Sequence, residues 1–231
     1  MNSAVLGILP SGVRDLVAEI EDYASREIVV AECRQQRVAS CYISPDAATI
    51  YLPDFGRMTA EDILHELLHI RRYWNLGVPQ LMAKNRRSQP HVDAIGSIDN
   101  QLEHLVIVPE QAAFGFDAYD RWNRRESREW NDRFWESIGN AEDRRLNLLL
   151  SYLTVSIIVT DPGVKTTADQ VLNSLGIFRD GQDFVGEVRN RIGDKTQVAA
   201  SAKRFLPLRD SDAELVRFDV RGGREDSFPI P

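Results

Sequence analysis

The chain contains few of the residues that form covalent or metal-bound scaffolds, with two cysteines and four histidines in 231 residues. The cysteines, Cys33 and Cys41, lack the paired spacing of cysteine-rich zinc modules. They could pair across neighbouring strands, but with no secretion signal in the sequence we expect reduced thiols. Neither a disulfide framework nor a cysteine-ligated zinc fold is therefore expected.

The chain also lacks a long apolar run and an excess of basic charge. Its most apolar segment, Leu146–Val159, contains polar residues and is shorter than the roughly 20 residues needed to span a bilayer, so it predicts a buried core helix. The N-terminus has no positively charged lead-in before Pro10, so we expect a cytoplasmic protein with no membrane partner. The formal net charge of −7 argues against a general nucleic-acid binder.

His65, Glu66 and His69 form an H-E-x-x-H motif within a segment that predicts a helix capped by Thr59. Two histidines four residues apart lie one above the other on a helix, so both imidazoles can bind one ion, and zinc accepts such nitrogens. Glu66 would lie beside that ion and take a proton from bound water. The apolar residues of the segment form a separate stripe, so we expect the motif face to be free for chemistry. Two such histidines can also be ordinary exposed or core residues.

A second stretch offers the third ligand on a helix predicted from Ser97 to Pro109. Glu103 is the first choice, because a carboxylate would complete a His₂Glu zinc site. His104 is the rival, and a His₃ site would be chemically sound. The two residues lie about 100° apart around a helix, so both are not expected to reach one ion. If Glu103 binds, His104 would steady the oxyanion of a tetrahedral intermediate, and Asp99 could orient the ligands.

The H-E-L-L-H motif, followed by Glu103 on a second helix, resembles the gluzincin branch of the zincin metallopeptidases. The resemblance is to the small bacterial and phage-type members and covers about residues 11–110. It implies a zinc metallopeptidase in which His65, His69 and Glu103 hold Zn²⁺. It further implies that Glu66 acts as general base on a zinc-bound water, with His104 as a second catalytic residue.

The element pattern predicts an α+β fold, with a helix and a small mixed sheet followed by two metal-bearing helices and a mainly helical C-terminal half. We expect a zincin-like catalytic core in residues 1–110 and a mainly helical extension packed on it in 111–231. The strand at Thr49–Leu52 is a candidate edge to which a peptide could add, or it has ordinary neighbours on both sides. The remaining expectations are strands within 27–33, 37–44 and 215–220, helices at 11–25, 142–159, 167–175 and 181–193, and a loose C-terminus after 221.

Three functions are compatible with these features. The first is a zinc metallopeptidase with a peptide or protein substrate and a possible protein regulator. The second is a regulatory or interaction protein that uses a zincin-like scaffold without catalysis, in which case zinc would be absent or closed in by four protein ligands. The third is a nucleic-acid module using the tryptophans and arginines of Glu110–Ile138, but interspersed acidic residues favour ordinary helical charge pairs there.

Overall fold

The computed structural model describes the whole chain, Met1–Pro231, and confirms the α+β class. Six strands form two three-stranded sheets, and most of the remaining chain is helical. The elements in chain order are α1 Ser3–Leu6, α2 Ser11–Ala24, β1 Val29–Glu32, β2 Ser40–Ile43, β3 Ala48–Leu52, α3 Ala60–Trp74, β4 Gln80–Ala83, α4 Gln89–Ala113, α5 Ala118–Asn131, α6 Ala141–Ile157, α7 Pro162–Ser174, α8 Phe178–Arg189, α9 Lys195–Phe205, β5 Ala213–Asp219 and β6 Arg224–Phe228, with short 3₁₀ turns at Phe55–Arg57 and Phe134–Ser137.

The chain divides into two compact units, each built from separate segments. The first comprises Met1–Gln80, Ala113–Phe116 and Val216–Ser227, and the second comprises Leu81–Ala112, Asp117–Leu215 and Phe228–Pro231. The boundary expected after residue 110 falls inside α4, which runs through that position without a break.

The first unit contains a mixed sheet in the order β1-β3-β2, with β1 parallel and β2 antiparallel to β3. Of the two alternatives for Thr49–Leu52, the edge strand is therefore wrong and the strand with neighbours on both sides is confirmed, because β3 is central and β1 and β2 are the edges. Ala48, Ile50 and Leu52 are buried on β3, as expected for a strand packed on one face. Strand order depends on pairing between distant segments, which the local alternation of residues does not specify.

Helix α3 carries the H-E-x-x-H motif and begins as the sequence predicts. The Thr59 hydroxyl accepts a hydrogen bond from the backbone N–H of Asp62 at 3.1 Å and donates one to the Asp62 carboxylate at 2.7 Å. Helix α2 and the strands β2 and β3 pack against α3. On the motif face, Glu66 and His69 are each only 5% exposed.

The second unit is mainly helical and has an apolar core around α6. The segment predicted as a buried core helix forms α6, whose residues Leu148–Val155 are all buried. Helix α8 packs against both α6 and α9. No helix of the chain combines the length and the apolar character that a membrane span requires.

Several elements, among them the unforeseen strand β4, differ from the sequence expectations. Helix α4 begins at Gln89 rather than Ser97 and continues past Pro109 to Ala113. A proline inside a helix costs roughly 3 kcal/mol, and Val108 and Gln111 on either side of Pro109 are buried. Helix α9 was not foreseen, and the C-terminus expected to be loose contains β6.

Candidate metal centre

Two of the four histidines lie on successive turns of α3. The rings of His65 and His69 are 5.2 Å apart between centroids and meet edge to face. His69 also stacks on Tyr73 at 6.4 Å, and Tyr73 in turn meets Phe218 edge to face at 6.4 Å. This row of rings packs around the His69 imidazole.

A third histidine lies on α4, where the side chain of His104 is 4% exposed. Its ring meets Trp122 of α5 edge to face, with 4.8 Å between centroids and 63° between the ring planes. An aromatic wall of this kind limits rotation of the imidazole and excludes water from one side of it. His104 is therefore a packed side chain with a defined direction.

The structure brings His65, His69 and His104 together, with one ligand nitrogen from each lying within 4.8 Å of the others. Tetrahedral zinc with bonds of about 2.0–2.1 Å needs nitrogens roughly 3.4 Å apart. Small rotations of the imidazoles would bring the three nitrogens to that spacing. Three neutral imidazoles are a donor set that a metal such as zinc accepts while leaving a fourth position open, so this group could hold a metal ion.

Glu103, the first choice for the third ligand, is not in this group. Its carboxylate is fully buried, and its Oε1 accepts a hydrogen bond from the Lys195 ammonium at 2.8 Å. The physical reason is the helical angle, because Glu103 and His104 point about 100° apart around α4. The α4 face that carries Glu103 is the one that meets the start of α9.

Asp99, which the sequence suggested could orient the ligands, contacts the same lysine. Its Oδ1 lies 2.7 Å from the Lys195 nitrogen and also accepts a hydrogen bond from the Leu81 backbone N–H at 2.9 Å. Burial lowers the pKa of Lys195, but the charges of Asp99 and Glu103 and their hydrogen bonds outweigh it and raise that pKa overall. Lys195 is therefore a buried ammonium ion.

Glu66, the expected general base, has a neighbour that the sequence did not indicate. The pKa of the Cys41 thiol is raised well above 9.0. Burial is the largest cause, followed by the charge of Glu66 and a hydrogen bond to Glu66. The thiol therefore stays protonated and donates to the Glu66 carboxylate. Cys41 pairs in register with Ile50, a buried residue of β3, so both side chains point to the face of the sheet that α3 covers.

Other candidate residues lie outside the histidine group. A ring nitrogen of His91 is 2.8 Å from the Asp212 carbonyl oxygen, which gives this histidine a structural partner. Trp122, Trp130 and Trp135, which could have stacked on bases, are all buried. Their burial leaves the nucleic-acid hypothesis without its aromatic surface.

Sequence reasoning missed Lys195 because nothing in its neighbourhood distinguishes it from a surface lysine at the first turn of a helix. Cys41 could have been found, because it lies two residues before the apolar Ile43 in a strand, and alternation puts both side chains on the same face. Comparison with protein-family models, with characterised proteins and with solved structures gives no match for this chain.

Proposed function

We propose that the protein is a zinc-dependent metallopeptidase in which His65, His69 and His104 hold the metal. The observation that carries this proposal is the convergence of three histidine nitrogens within 4.8 Å, with Glu66 following His65 on the same helix. The proposal keeps the reaction class expected from the motif and replaces Glu103 by His104 as third ligand. When bound, zinc would lower the pKa of a coordinated water and polarise the scissile carbonyl.

Glu66 supplies the proton transfers in this mechanism. Its carboxylate accepts the proton of the attacking water and delivers it to the leaving amine, first as general base and then as general acid. Because Glu66 is 5% exposed, bulk water competes little for its oxygens. The Cys41 thiol donates to the carboxylate and so helps to orient it.

The edge strand β2 supports a peptide as the substrate class. Strand β2 is the last strand of its sheet, so its outer backbone groups can pair with an extended chain. Cys41 lies in the middle of β2 and contacts Glu66, which puts a peptide bound along this edge beside the general base. The proposal includes a cytoplasmic location, which the free thiols of Cys33 and Cys41 support.

Metal content of the purified, zinc-loaded protein tests the ligand set. We expect about one zinc per chain in the wild type and its loss in His65→Ala and His104→Ala. Glu103→Gln, which keeps the shape of the side chain, should retain the metal. His91→Ala is the matched control, since it removes a histidine that lies outside the group. A wild-type protein that takes up no zinc contradicts the proposal.

Hydrolysis of a proteome-derived peptide mixture, read by mass spectrometry, tests the chemistry. Glu66→Gln should keep the metal and lose activity by about 10²–10⁴-fold, the typical contribution of a positioned general acid–base group. Full activity in Glu66→Gln contradicts the assigned role of Glu66. Bound zinc with no cleavage of any peptide in the wild type would favour a regulatory or interaction protein instead.

A further inference from the structure

The edge strand β2 carries an exposed aromatic side chain on the face of its sheet that α3 does not cover. Tyr42 pairs in register with Thr49, and Cys41 pairs with Ile50. Ile50 is buried whereas Tyr42 is 57% exposed, and α3 packs against both β2 and β3. Because successive side chains of a strand point to opposite faces, Cys41 faces α3 and Tyr42 faces away from it.

This uncovered face is more apolar than the solvated face of a sheet usually is. Val29 of β1 aligns with Thr49, so Val29, Thr49 and Tyr42 form one row across the three strands. Val29 is 53% exposed, and Tyr51 lies in the next row on the same face. Polar residues are usual on a solvated sheet face, and apolar side chains gathered on an exposed surface mark a site of interaction.

The backbone of β2 has hydrogen-bonding groups that point away from its sheet. The Ser44 N–H donates to the Ala47 carbonyl oxygen at 2.9 Å, so these two residues form a hydrogen-bonded pair at the end of the β2–β3 hairpin. Hydrogen-bonded and non-hydrogen-bonded pairs alternate along an antiparallel ladder, which makes Tyr42 and Thr49 the next hydrogen-bonded pair. Cys41 belongs to a non-hydrogen-bonded pair, so its N–H and C=O point outward.

The same alternation sorts the side chains of a peptide that adds to this edge. The peptide residue aligned with Cys41 faces α3, where the Cys41 thiol contacts the Glu66 carboxylate. The neighbouring peptide residue, aligned with Tyr42, faces the uncovered side. Directly opposite side chains have Cβ atoms about 4.5–5.5 Å apart, so this second residue packs against the Tyr42 ring. The peptide residue facing Glu66 and the one meeting Tyr42 are therefore next to each other in the substrate.

The charges around the face favour a peptide over a nucleic acid as its occupant. The segment 26–57, which contains the three strands, has four arginines and four acidic residues and so no net charge. Three of the arginines lie in ion pairs with acidic residues: Arg26 with Asp46, Arg34 with Glu32, and Arg57 with Asp54. Binding to a phosphate backbone depends on an excess of basic side chains. A neutral apolar face beside an open strand edge suits an extended peptide.

We propose that Tyr42 determines substrate specificity, by favouring peptides with an aromatic or β-branched side chain at the residue next to the one that faces Glu66. This inference rests on the proposed function, since it concerns the substrate of the same site. Pairs of aromatic residues, and of an aromatic with a β-branched residue, stabilise neighbouring strands when they lie directly opposite each other. Their contribution corresponds to a preference of about 2–5-fold over serine at that position.

Competition among short synthetic peptides tests this assignment. The peptides differ only at one position near the cleaved bond, where Phe, Val, Ser or Asp stands, and mass spectrometry follows their relative rates of cleavage by the zinc-loaded protein. At one such position the wild type should prefer Phe and Val to Ser by about 2–5-fold. Tyr42→Phe should keep this preference. Tyr42→Lys should move it to Asp, because opposite charges attract across neighbouring strands.

Val29→Lys is the matched control, because Val29 lies in the same row of the same face but on β1, the other edge strand. It introduces the same charge away from β2 and should leave the cleavage profile of the wild type unchanged. Val29 and Tyr42 are both more than half exposed, so neither substitution should unfold the sheet. If Tyr42→Lys does not fold, Tyr42→Thr carries the test, since threonine suits a strand and should lose the preference for Phe.

The outcomes separate this inference from the proposed function. A wild type without preference among the peptides, an unchanged profile in Tyr42→Lys, or a shift toward Asp in Val29→Lys instead overturns the role of Tyr42 and leaves the peptidase activity standing. A wild type that cleaves none of the peptides overturns the proposed function. Fluorescence anisotropy of the same peptides, labelled with fluorescein, then decides the role of Tyr42. Tighter binding of the Phe peptide than of the Ser peptide, lost in Tyr42→Lys, supports that role, and equal binding or none overturns it.

Discussion

Glu126 makes the stability of this protein depend on pH in a direction that the structure determines. The residue lies on α5 and is 1% exposed, and its Oε2 accepts a hydrogen bond from the Ser151 hydroxyl at 3.0 Å. The nearest cation, Arg125, is 3.9 Å from its other oxygen. The pKa of Glu126 is raised from 4.5 to about 7. Burial is the largest cause and the charge of Glu129 the next, while Arg125 and Ser151 lower the pKa by smaller amounts.

The sign of the effect follows from proton binding. Between pH 4.5 and about 7 the folded protein holds a proton on Glu126 that the unfolded chain has lost. The free energy of unfolding therefore falls as the pH rises through this window. Each pKa unit corresponds to 1.36 kcal/mol. The rise in the pKa of Glu126 from 4.5 to about 7 therefore lowers the free energy of unfolding by about 3 kcal/mol by pH 8.

The variant Glu126→Gln removes this titration and keeps an oxygen that can accept from Ser151. Its free energy of unfolding, measured with urea from pH 4 to 8.5, should rise relative to that of the wild type by about 2–3 kcal/mol across the range. Groups that both proteins share cancel in the difference. Glu136→Gln is the matched control, because it removes an exposed carboxylate.

A difference between Glu126→Gln and wild type that stays flat within about 0.5 kcal/mol from pH 4 to 8.5 would refute the reasoning, since the linkage requires it to change. So would a difference that falls with pH, which would mean that the folded state favours the carboxylate. A slope of equal size in Glu136→Gln would show that the effect is not specific to the buried position.

Two further predictions concern helix stability. Thr59→Ala removes the cap of α3 and should lower the free energy of unfolding by about 1 kcal/mol in urea denaturation. Thr59→Ser is the control variant that keeps the hydrogen bond. An equal loss of stability in both variants would argue against the cap. Gly181→Ala puts a Cβ 2.7 Å from Leu172 and 2.9 Å from Tyr152, two buried side chains, and should cost about 1–3 kcal/mol through overpacking despite the better helix propensity of alanine. An unchanged melting temperature for Gly181→Ala would show that this core can yield.

The sequence predicted the local elements of the first unit well. Helix α2 and strand β3 follow from apolar periodicity, and α3 follows from its cap at Thr59, all of which are interactions within a few residues. The pairing of His65 with His69 belongs to the same class, because four residues along a helix bring two rings together wherever the helix lies. Helix α9 and β6 were missed because their short segments are formed mainly by packing against distant parts of the chain.

Only the tertiary structure decided which residue of α4 joins the two α3 histidines. Glu103 and His104 are neighbours with suitable chemistry, and the sequence favours the carboxylate. The choice depends on which face of α4 meets the histidines of α3, and the opposite choice for Glu103 is seen in its contact with Lys195, which lies 92 residues beyond it. Periodicity gives the angle between two side chains on a helix, but which face meets which neighbour is a property of long-range packing. The burial of Glu66 and the central position of β3 were beyond the sequence for the same reason.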